Sequence, residues 1–234
     1  MRGNRPEGKD NAIFQKPCQQ KNCDGSYRPD AYPIVTIHLL GNSSVFIGPD
    51  GINTYAAALQ GLGPIVWIFR LAMIIAFFLH VFSGIQLTLE NNAAKPDKYA
   101  VTKRRRTTLA SRSMIWTGLL TAAFLLYHLL HLTFHITNPE ISSGRNLDAS
   151  GRPDVFKMVV LSFRNPAITF IYLAALSALS LHLVHGIQSL FQTLGLNNER
   201  TFRIFARAGI LVAIALFFGY LSIPVSILAG ALRN

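Results

Sequence analysis

Residues 79–86 read Leu-His-Val-Phe-Ser-Gly-Ile-Gln, and residues 181–188 read Leu-His-Leu-Val-His-Gly-Ile-Gln. Both octets follow the pattern Leu-His-x-x-x-Gly-Ile-Gln, and they lie in the long apolar runs 63–89 and 166–194. A helix needs about 20 apolar residues to cross the hydrocarbon core of a bilayer. Each octet therefore places a histidine well inside a predicted transmembrane helix.

Two further apolar runs, residues 113–136 and 208–232, are long enough to span a bilayer. The second contains Pro224, which we expect to kink its helix. A fifth run, residues 31–48, is shorter and includes Pro33 and several polar residues. The sequence thus predicts an all-α integral-membrane bundle of five transmembrane helices, four clear and one weak.

The chain divides into a polar N-terminal tail, residues 1–30, and a transmembrane domain, residues 31–234. The tail lacks the apolar core of a signal peptide. It holds the two cysteines, Cys18 and Cys23, and we interpret this pair as incidental because an iron–sulfur cluster needs about four thiolates.

The composition agrees with a membrane protein. Half of the residues are hydrophobic and 14% are charged, whereas a soluble domain carries about 25% charged residues. The net charge of +11 would suit nucleic acid, but most basic residues lie in the tail and in connections beside the apolar runs. That distribution is typical of membrane proteins and argues against nucleic-acid binding.

The basic residues also predict the orientation. Residues 41–62 carry no lysine or arginine, and residues 138–165 have mixed charge. The strongly basic connections contain Lys95, Lys98, Lys103, Arg104, Arg105, Arg106 and Arg112, and then Arg200, Arg203 and Arg207. Cytoplasmic loops are enriched in such residues. We therefore expect a multi-pass protein of the plasma (inner) membrane, with its N-terminus in the cytoplasm and its C-terminus outside.

Every histidine lies in or beside an apolar run: His38, His80, His128, His131, His135, His182 and His185. Ionisable groups inside a membrane are costly and usually functional. A single histidine could simply bond to a neighbouring helix. Seven of them in four segments favour ligation of a metal, because imidazole nitrogen is a common metal ligand.

The glycines of the octets strengthen this interpretation. Gly84 follows His80 by four residues and Gly186 follows His182 by four, so each glycine shares a helix face with its histidine. A missing side chain there leaves room for a flat macrocycle, although it also permits close helix packing. Because the whole octet is repeated, we favour the macrocycle, a haem.

Depth in the membrane predicts how the histidines pair. His80 and His182 lie about 14 and 18 Å from the inner ends of their helices, at 1.5 Å per residue. His128 lies about 12 Å from the outer end of its helix, and His38 lies near the outer end of the first segment. The topology predicts an inner pair, His80 with His182, and an outer pair, His38 with His128, each holding one haem.

The remaining histidines have weaker assignments. His128, His131 and His135 share a face at spacings i, i+3 and i+7, and only one can be the axial ligand of a given iron. We favour His128 because it is deepest. His131 would contact the ligand or a neighbouring haem, His135 would lie near the interface, and His185 is offset from the repeat.

These neighbourhoods resemble the cytochrome b subunit of the succinate dehydrogenase and fumarate reductase family, in the type with one anchor polypeptide, five helices and two b haems. The similarity extends over about residues 36–230. It is carried by His38-Leu39-Leu40-Gly41-Asn42, Gly48-Pro49-Asp50-Gly51 with Tyr55, residues 79–91, Leu109-Ala110-Ser111-Arg112, residues 117–128 and residues 182–188.

The resemblance implies four axial ligands, His38, His80, His128 and His182, in the pairing that depth predicts. It implies two soluble partners, a flavoprotein that oxidises succinate and an iron–sulfur protein on the cytoplasmic face, in a complex that is compatible with a higher oligomer. It also implies electron transfer between those partners and a quinone within the membrane lipid. Succinate itself would not be handled by this chain.

Three further residues are candidates for cofactor contacts. Arg70, inside the second span, would reach either the lipid headgroups or a propionate of the outer haem. Ser111 and Arg112, at the inner end of the third span, would meet a quinone or an inner-haem propionate, although helix capping and inward placement of positive charge explain them equally well.

The sequence leaves three alternatives. One is a membrane di-metal oxidase or desaturase, which usually adds acidic ligands near the interface, whereas the four clear spans contain no Asp or Glu. Another is the di-haem anchor of a different respiratory complex, such as a hydrogenase or formate dehydrogenase. The third is a non-catalytic helical scaffold.

Overall fold

A computed structural model describes residues 31–93, 109–142, 144–193 and 199–233. Within these ranges the chain forms the helices α1 (Ala31–Ser43), α2 (Pro49–Gly61), α3 (Pro64–Ala93), α4 (Leu109–His128), α5 (Val155–Phe163), α6 (Pro166–Thr193) and α7 (Glu199–Leu228). Three of them begin at a proline, whose missing N–H costs nothing in a first turn.

Four helical segments are long and apolar enough to cross a membrane, namely Pro64–Glu90, Ser113–Thr133, Pro166–Ile187 and Ala206–Leu228. A shorter apolar segment, Pro33–Ile47, corresponds to the weak first span. The prediction of an all-α multi-pass membrane bundle with four clear helices and one weak helix is confirmed. Pro224 lies inside α7, which continues to Leu228.

Helix α6 occupies the middle of the bundle, where it packs against α4 on one side and α7 on the other. Glycines allow the closest approaches. A Cβ at Gly209 would lie 2.5 Å from the Ile187 side chain, and a Cβ at Gly219 would lie 2.6 Å from Leu39 of α1. In contrast, α3 lies at the edge of the bundle and packs chiefly on α4.

One end of the bundle, which we call the capped end, is covered by α2, α5 and the connection 134–154. Its apolar core includes Val45, Ile52, Phe156, Val160 and Ile227, all at most 3% exposed. At the opposite end, where α3 ends and α4 begins, the described residues include no further helix, and we call it the open end. Neither α2 nor α5 was predicted from sequence, because both are too short to give a membrane-span signal.

Candidate functional site

Histidine rings from four helices meet in two pairs. The ring centroids of His80 and His182 are 6.0 Å apart, with their planes at 89°. The centroids of His38 and His128 are 5.9 Å apart, with their planes at 85°. The fold therefore brings together the same partners that depth in the membrane had paired.

This spacing suits two imidazoles on opposite sides of one metal ion. Two metal–nitrogen bonds of about 2 Å, plus about 1 Å from each nitrogen to its ring centre, give a centroid separation of about 6 Å. Direct edge-to-face packing of two rings has a similar spacing. The ring spacing alone therefore does not distinguish a bound metal group from direct ring packing, and the residues around each pair must be considered.

We call His80 and His182 the deep pair. Each is the seventeenth residue of its helix, which places both about 24 Å from the capped end at 1.5 Å per residue. The two helices run in the same direction from that end, so equal positions along the chain become equal depths. This is why the two rings can face each other.

Small residues surround the deep pair. A Cβ at Gly118 of α4 would lie 3.1 Å from Cε1 and 3.4 Å from Nδ1 of His182, so the α4 backbone lies directly against that ring. A Cβ at Gly84, one turn after His80, would meet no atom within 4 Å. Gly186 occupies the matching position in α6. Among the described residues, the space on the helix face next to His80 is therefore unfilled.

The second pair, His38 and His128, lies toward the capped end, and tyrosines surround it. The Tyr220 ring lies 6.2 Å from that of His38, and its hydroxyl donates a 2.6 Å hydrogen bond to the carbonyl of Val35. The Tyr55 ring packs directly on Gly41, where any side chain would collide with it. The position of α1 is therefore fixed from both sides near His38.

Beyond His128 the helix changes its geometry. Residues 129–133 form a π-helical turn, and His135 has a φ of 56°. The expected common face of His128, His131 and His135 assumed a regular helix to residue 136, so it does not extend to His135. Turns of the π type often mark functional sites, and a non-glycine residue at positive φ is strained.

His131, in this π-helical turn, is only 2% exposed. Its Nδ1 lies 3.0 Å from the hydroxyl of Tyr172, and the Nδ1 of His128 lies 3.3 Å from the same hydroxyl. Its ring also stacks on Tyr127, at 5.5 Å between centroids. Among the described residues, the Nε2 atoms of His131 and His135 are buried without a hydrogen-bond partner.

Other predicted site residues lie apart from the pairs or outside the described side chains. The Arg70 guanidinium lies 4.9 Å from the Trp67 ring centre, and the propionate contact stays a prediction. The side chains of Ser111 and Arg112, and Cys18 and Cys23 in the tail, lie outside the described residues. His185 is half-buried on α6.

The capped end carries a polar cluster that sequence reasoning missed. Asn53 of α2 is 1% exposed, and its Oδ1 accepts a 3.0 Å hydrogen bond from the N–H of Phe156. Its Nδ2 donates to Asp148 and Asp154, both at 3.3 Å. A single asparagine in a polar connection gives no sequence signal of this role.

Arg152 completes this cluster by pairing with Asp50 and Asp148, at 2.8 and 2.7 Å. Burial tends to raise the pKa of Asp148, but hydrogen bonds from the backbone and side chain of Arg152, from the N–H of Ser150 and from Asn53 outweigh it. The pKa of Asp148 therefore lies below its ordinary value. The charged carboxylate ties the connection 144–154 to α2.

The chain was also compared with known protein families. Residues 88–220 match the model described as the succinate dehydrogenase/fumarate reductase transmembrane subunit, which covers more than half of the chain. Comparison with curated proteins and with solved structures gave no match.

Proposed function

The chain belongs to the succinate dehydrogenase/fumarate reductase transmembrane-subunit family, and on that premise we propose that it is the cytochrome b anchor of a succinate:quinone or fumarate:quinone oxidoreductase. In this proposal, two bis-histidine b haems carry electrons between an iron–sulfur subunit and membrane quinone. The observation that supports it best is the pair of facing histidine couples, at 6.0 and 5.9 Å.

His80 and His182 would hold one haem, and His38 and His128 would hold the other. When bound, each haem supplies an iron that alternates between the ferric and ferrous states and so passes one electron at a time. The residues of the chain fix the four imidazoles on separate helices. The described residues bury His80, His128 and His182 only in part and leave His38 exposed, so the surrounding lipid, together with the hydrogen bonds to the imidazoles, would set the potential.

The architecture of the deep pair supports a macrocycle in particular. The backbone of α4 at Gly118 lies directly against the His182 ring, and no atom of the described chain lies within 4 Å of a Cβ at Gly84. Helix α3 packs chiefly on α4 rather than on α6, although His80 reaches toward α6. Sparse packing between two helices that meet through their histidines would suit a flat group held between them.

The orientation follows from the basic connections. Helix α3 ends, and α4 and α7 begin, at the open end. Because the sequence between α3 and α4 and the start of α7 are strongly basic, we assign this end to the cytoplasmic face of the plasma membrane. The flavoprotein and iron–sulfur subunits would dock there, and the capped end would face outside. Electrons would then cross from the deep pair to the capped-end pair, or in the reverse direction.

Purification of the whole complex from native membranes, through an affinity tag on this chain, tests the proposal. We expect a flavoprotein and an iron–sulfur protein to co-purify, and a reduced b-type spectrum that corresponds to two haems per chain. Membranes with the untagged chain serve as the control. Absence of a Soret band, or co-purification of a hydrogenase or formate dehydrogenase subunit instead, would overturn it.

A further inference from the structure

Tyr172 lies beside His128 of the capped-end pair. Its hydroxyl is 3.3 Å from Nδ1 of His128 and 3.0 Å from Nδ1 of His131. The three groups come from α4, from the π-helical turn that follows it and from α6. One hydroxyl therefore joins the predicted haem ligand to the buried histidine one turn further along.

A single hydroxyl proton cannot serve both histidines in the same way. A neutral imidazole carries one N–H, and the other nitrogen is an acceptor. If Nε2 of His128 binds iron, its proton must be on Nδ1, which then donates to the Tyr172 oxygen. The hydroxyl can then donate its own proton to Nδ1 of His131, at the shorter of the two distances.

The ring contacts separate two histidines that sequence spacing could not, and the tautomers described above are consistent with them. With its Nδ1 accepting from Tyr172, His131 must carry its proton on Nε2, and a protonated nitrogen does not bind a metal. The ring contacts agree, because His128 faces His38 whereas His131 stacks on Tyr127. The facing rings of His38 and His128 therefore favour His128 as the residue that would hold the iron.

We infer that Tyr172 is a positioning residue of the capped-end haem, whose hydroxyl selects His128 as the ligand by accepting from its Nδ1 and donating to His131. The inference rests on the proposed function and adds to it the residue that orients one axial imidazole. Hydrogen bonds of this kind fix the tautomer and ring orientation of a metal-bound histidine and raise its basicity.

The packing around Tyr172 holds its hydroxyl in place. The residue is 6% exposed, and its ring makes edge contacts with Phe124 at 4.9 Å and with Phe163 at 4.8 Å between centroids. Because Phe124 and Phe163 both pack against the phenol ring, it has little freedom to rotate. Replacement by phenylalanine would keep these contacts and remove only the hydroxyl.

The hydrogen bond from His128 to Tyr172 should affect the midpoint potential of this haem in a predictable direction. An imidazole that donates from Nδ1 is more basic and stabilises ferric over ferrous iron. Loss of the acceptor should therefore raise the midpoint potential of that haem. If the hydrogen bond favours the ferric state by up to tenfold, the rise is up to about 59 mV for one electron.

The test is Tyr172→Phe in the intact complex, with redox titration of both haems and electron paramagnetic resonance of their ferric low-spin signals. We expect a higher midpoint potential and a shifted resonance signal for the haem at His38 and His128 only. This haem can be identified because it is the one that remains after His80→Ala. Tyr127→Phe is the matched control, because it removes a phenol hydroxyl nearby without affecting either Nδ1 contact. It should leave both midpoints unchanged.

A second pair of variants tests the ligand assignment even if Tyr172→Phe does not assemble. His131→Gln should keep two haems, and His128→Gln should lose one. Unchanged midpoints in an assembled Tyr172→Phe complex, a change confined to the deep-pair haem, or loss of a haem from His131→Gln would each overturn the inference. If the wild-type complex has no haem, the proposed function itself fails, which is a separate result.

Discussion

At the scale of single residues, the candidate site depends on four histidines from four helices. His80 and His182 could be recognised from sequence, since each lies in the repeated octet and at the same depth. The hydroxyl of Tyr172 could not, because 44 residues separate it from His128 and nothing in the local pattern marks it. Residues that ligate can be read from spacing, whereas residues that orient them depend on how helices pack.

The pairing of ligands is tested by single alanine variants. His80→Ala and His182→Ala should each remove the same haem and spare the other, because an iron that loses one of two axial imidazoles is poorly held. Haem content should fall from two to one per chain, measured by reduced-minus-oxidised spectra.

His185→Ala is the control for these variants, and it should keep both haems. If His80→Ala and His128→Ala instead removed one common haem, the proposed pairs would be wrong.

The open space beside His80 gives a test that separates a macrocycle from simple ring packing. Because a Cβ at Gly84 meets no atom of the described residues within 4 Å, Gly84→Leu should fold normally. A haem against that face would be displaced by the new side chain, so we expect the deep-pair haem to be lost or reduced.

Gly61→Leu, where a Cβ also meets nothing within 4 Å, is the matched control for haem content. Full haem content in a folded Gly84→Leu protein would exclude a macrocycle on this face of α3.

At the scale of helices and connections, the capped end is the part that sequence analysis did not anticipate. Helix α2 and helix α5 are held together by a buried asparagine, and the connection between α4 and α5 is held by an arginine paired with two aspartates. These contacts place the start of α6, and hence Tyr172, against the end of α4. The polar cluster thus stabilises the surroundings of the capped-end pair from outside the membrane.

Asn53→Ala tests the contribution of this cluster to stability. The change leaves the N–H of Phe156 without its acceptor in a buried position, and such a group costs about 1–3 kcal/mol. We expect the free energy of unfolding in detergent to fall by about that amount, with Gln60→Ala on the exposed face of α2 as the control. An effect no larger than that of the control would show that water replaces the lost bonds.

Low pH should destabilise the connection 144–154, which Asp148 helps to hold. The hydrogen bonds to Asp148 lower its pKa in the folded state below the ordinary 3.8, so its stabilising effect is complete above that pH and is lost as the pH falls through the lowered pKa. We expect proteolysis or hydrogen exchange in residues 144–154 to accelerate below about pH 4. Asp148→Asn should show fast exchange already at neutral pH, and an equally steep acid response in that variant would point to another group.

At the scale of the whole molecule, the bundle is asymmetric. Helix α6 is embedded between α4 and α7, whereas no residue in the most apolar stretch of α3 is buried by the rest of the described chain. Large side chains such as Phe78 and Phe82 are two-thirds exposed on α3. In a membrane this surface suits lipid tails, which solvate apolar side chains as readily as a protein core does.

Topology reporters test the orientation of this bundle. With the basic connection 94–108 in the cytoplasm, a phosphatase that is active only outside should be silent when fused there and active when fused within 138–154. A fluorescent protein that folds only in the cytoplasm should give the opposite pattern. The reverse result at both sites would invert the membrane orientation and move the docking face of the soluble subunits to the capped end.

The sequence by itself determined the membrane spans, their expected direction and the depth of the histidines, because these follow from the length of apolar runs, from charge and from a rise of 1.5 Å per residue. Only the tertiary structure decided that α2, α5 and the Asn53 cluster close one end, that Gly118 contacts His182, and that Tyr172 joins His128 to His131. Those contacts connect residues far apart in the chain. Their formation depends on the rotation and packing of each helix against its neighbours, which the apolar pattern of a membrane span barely specifies, since lipid accepts any apolar face.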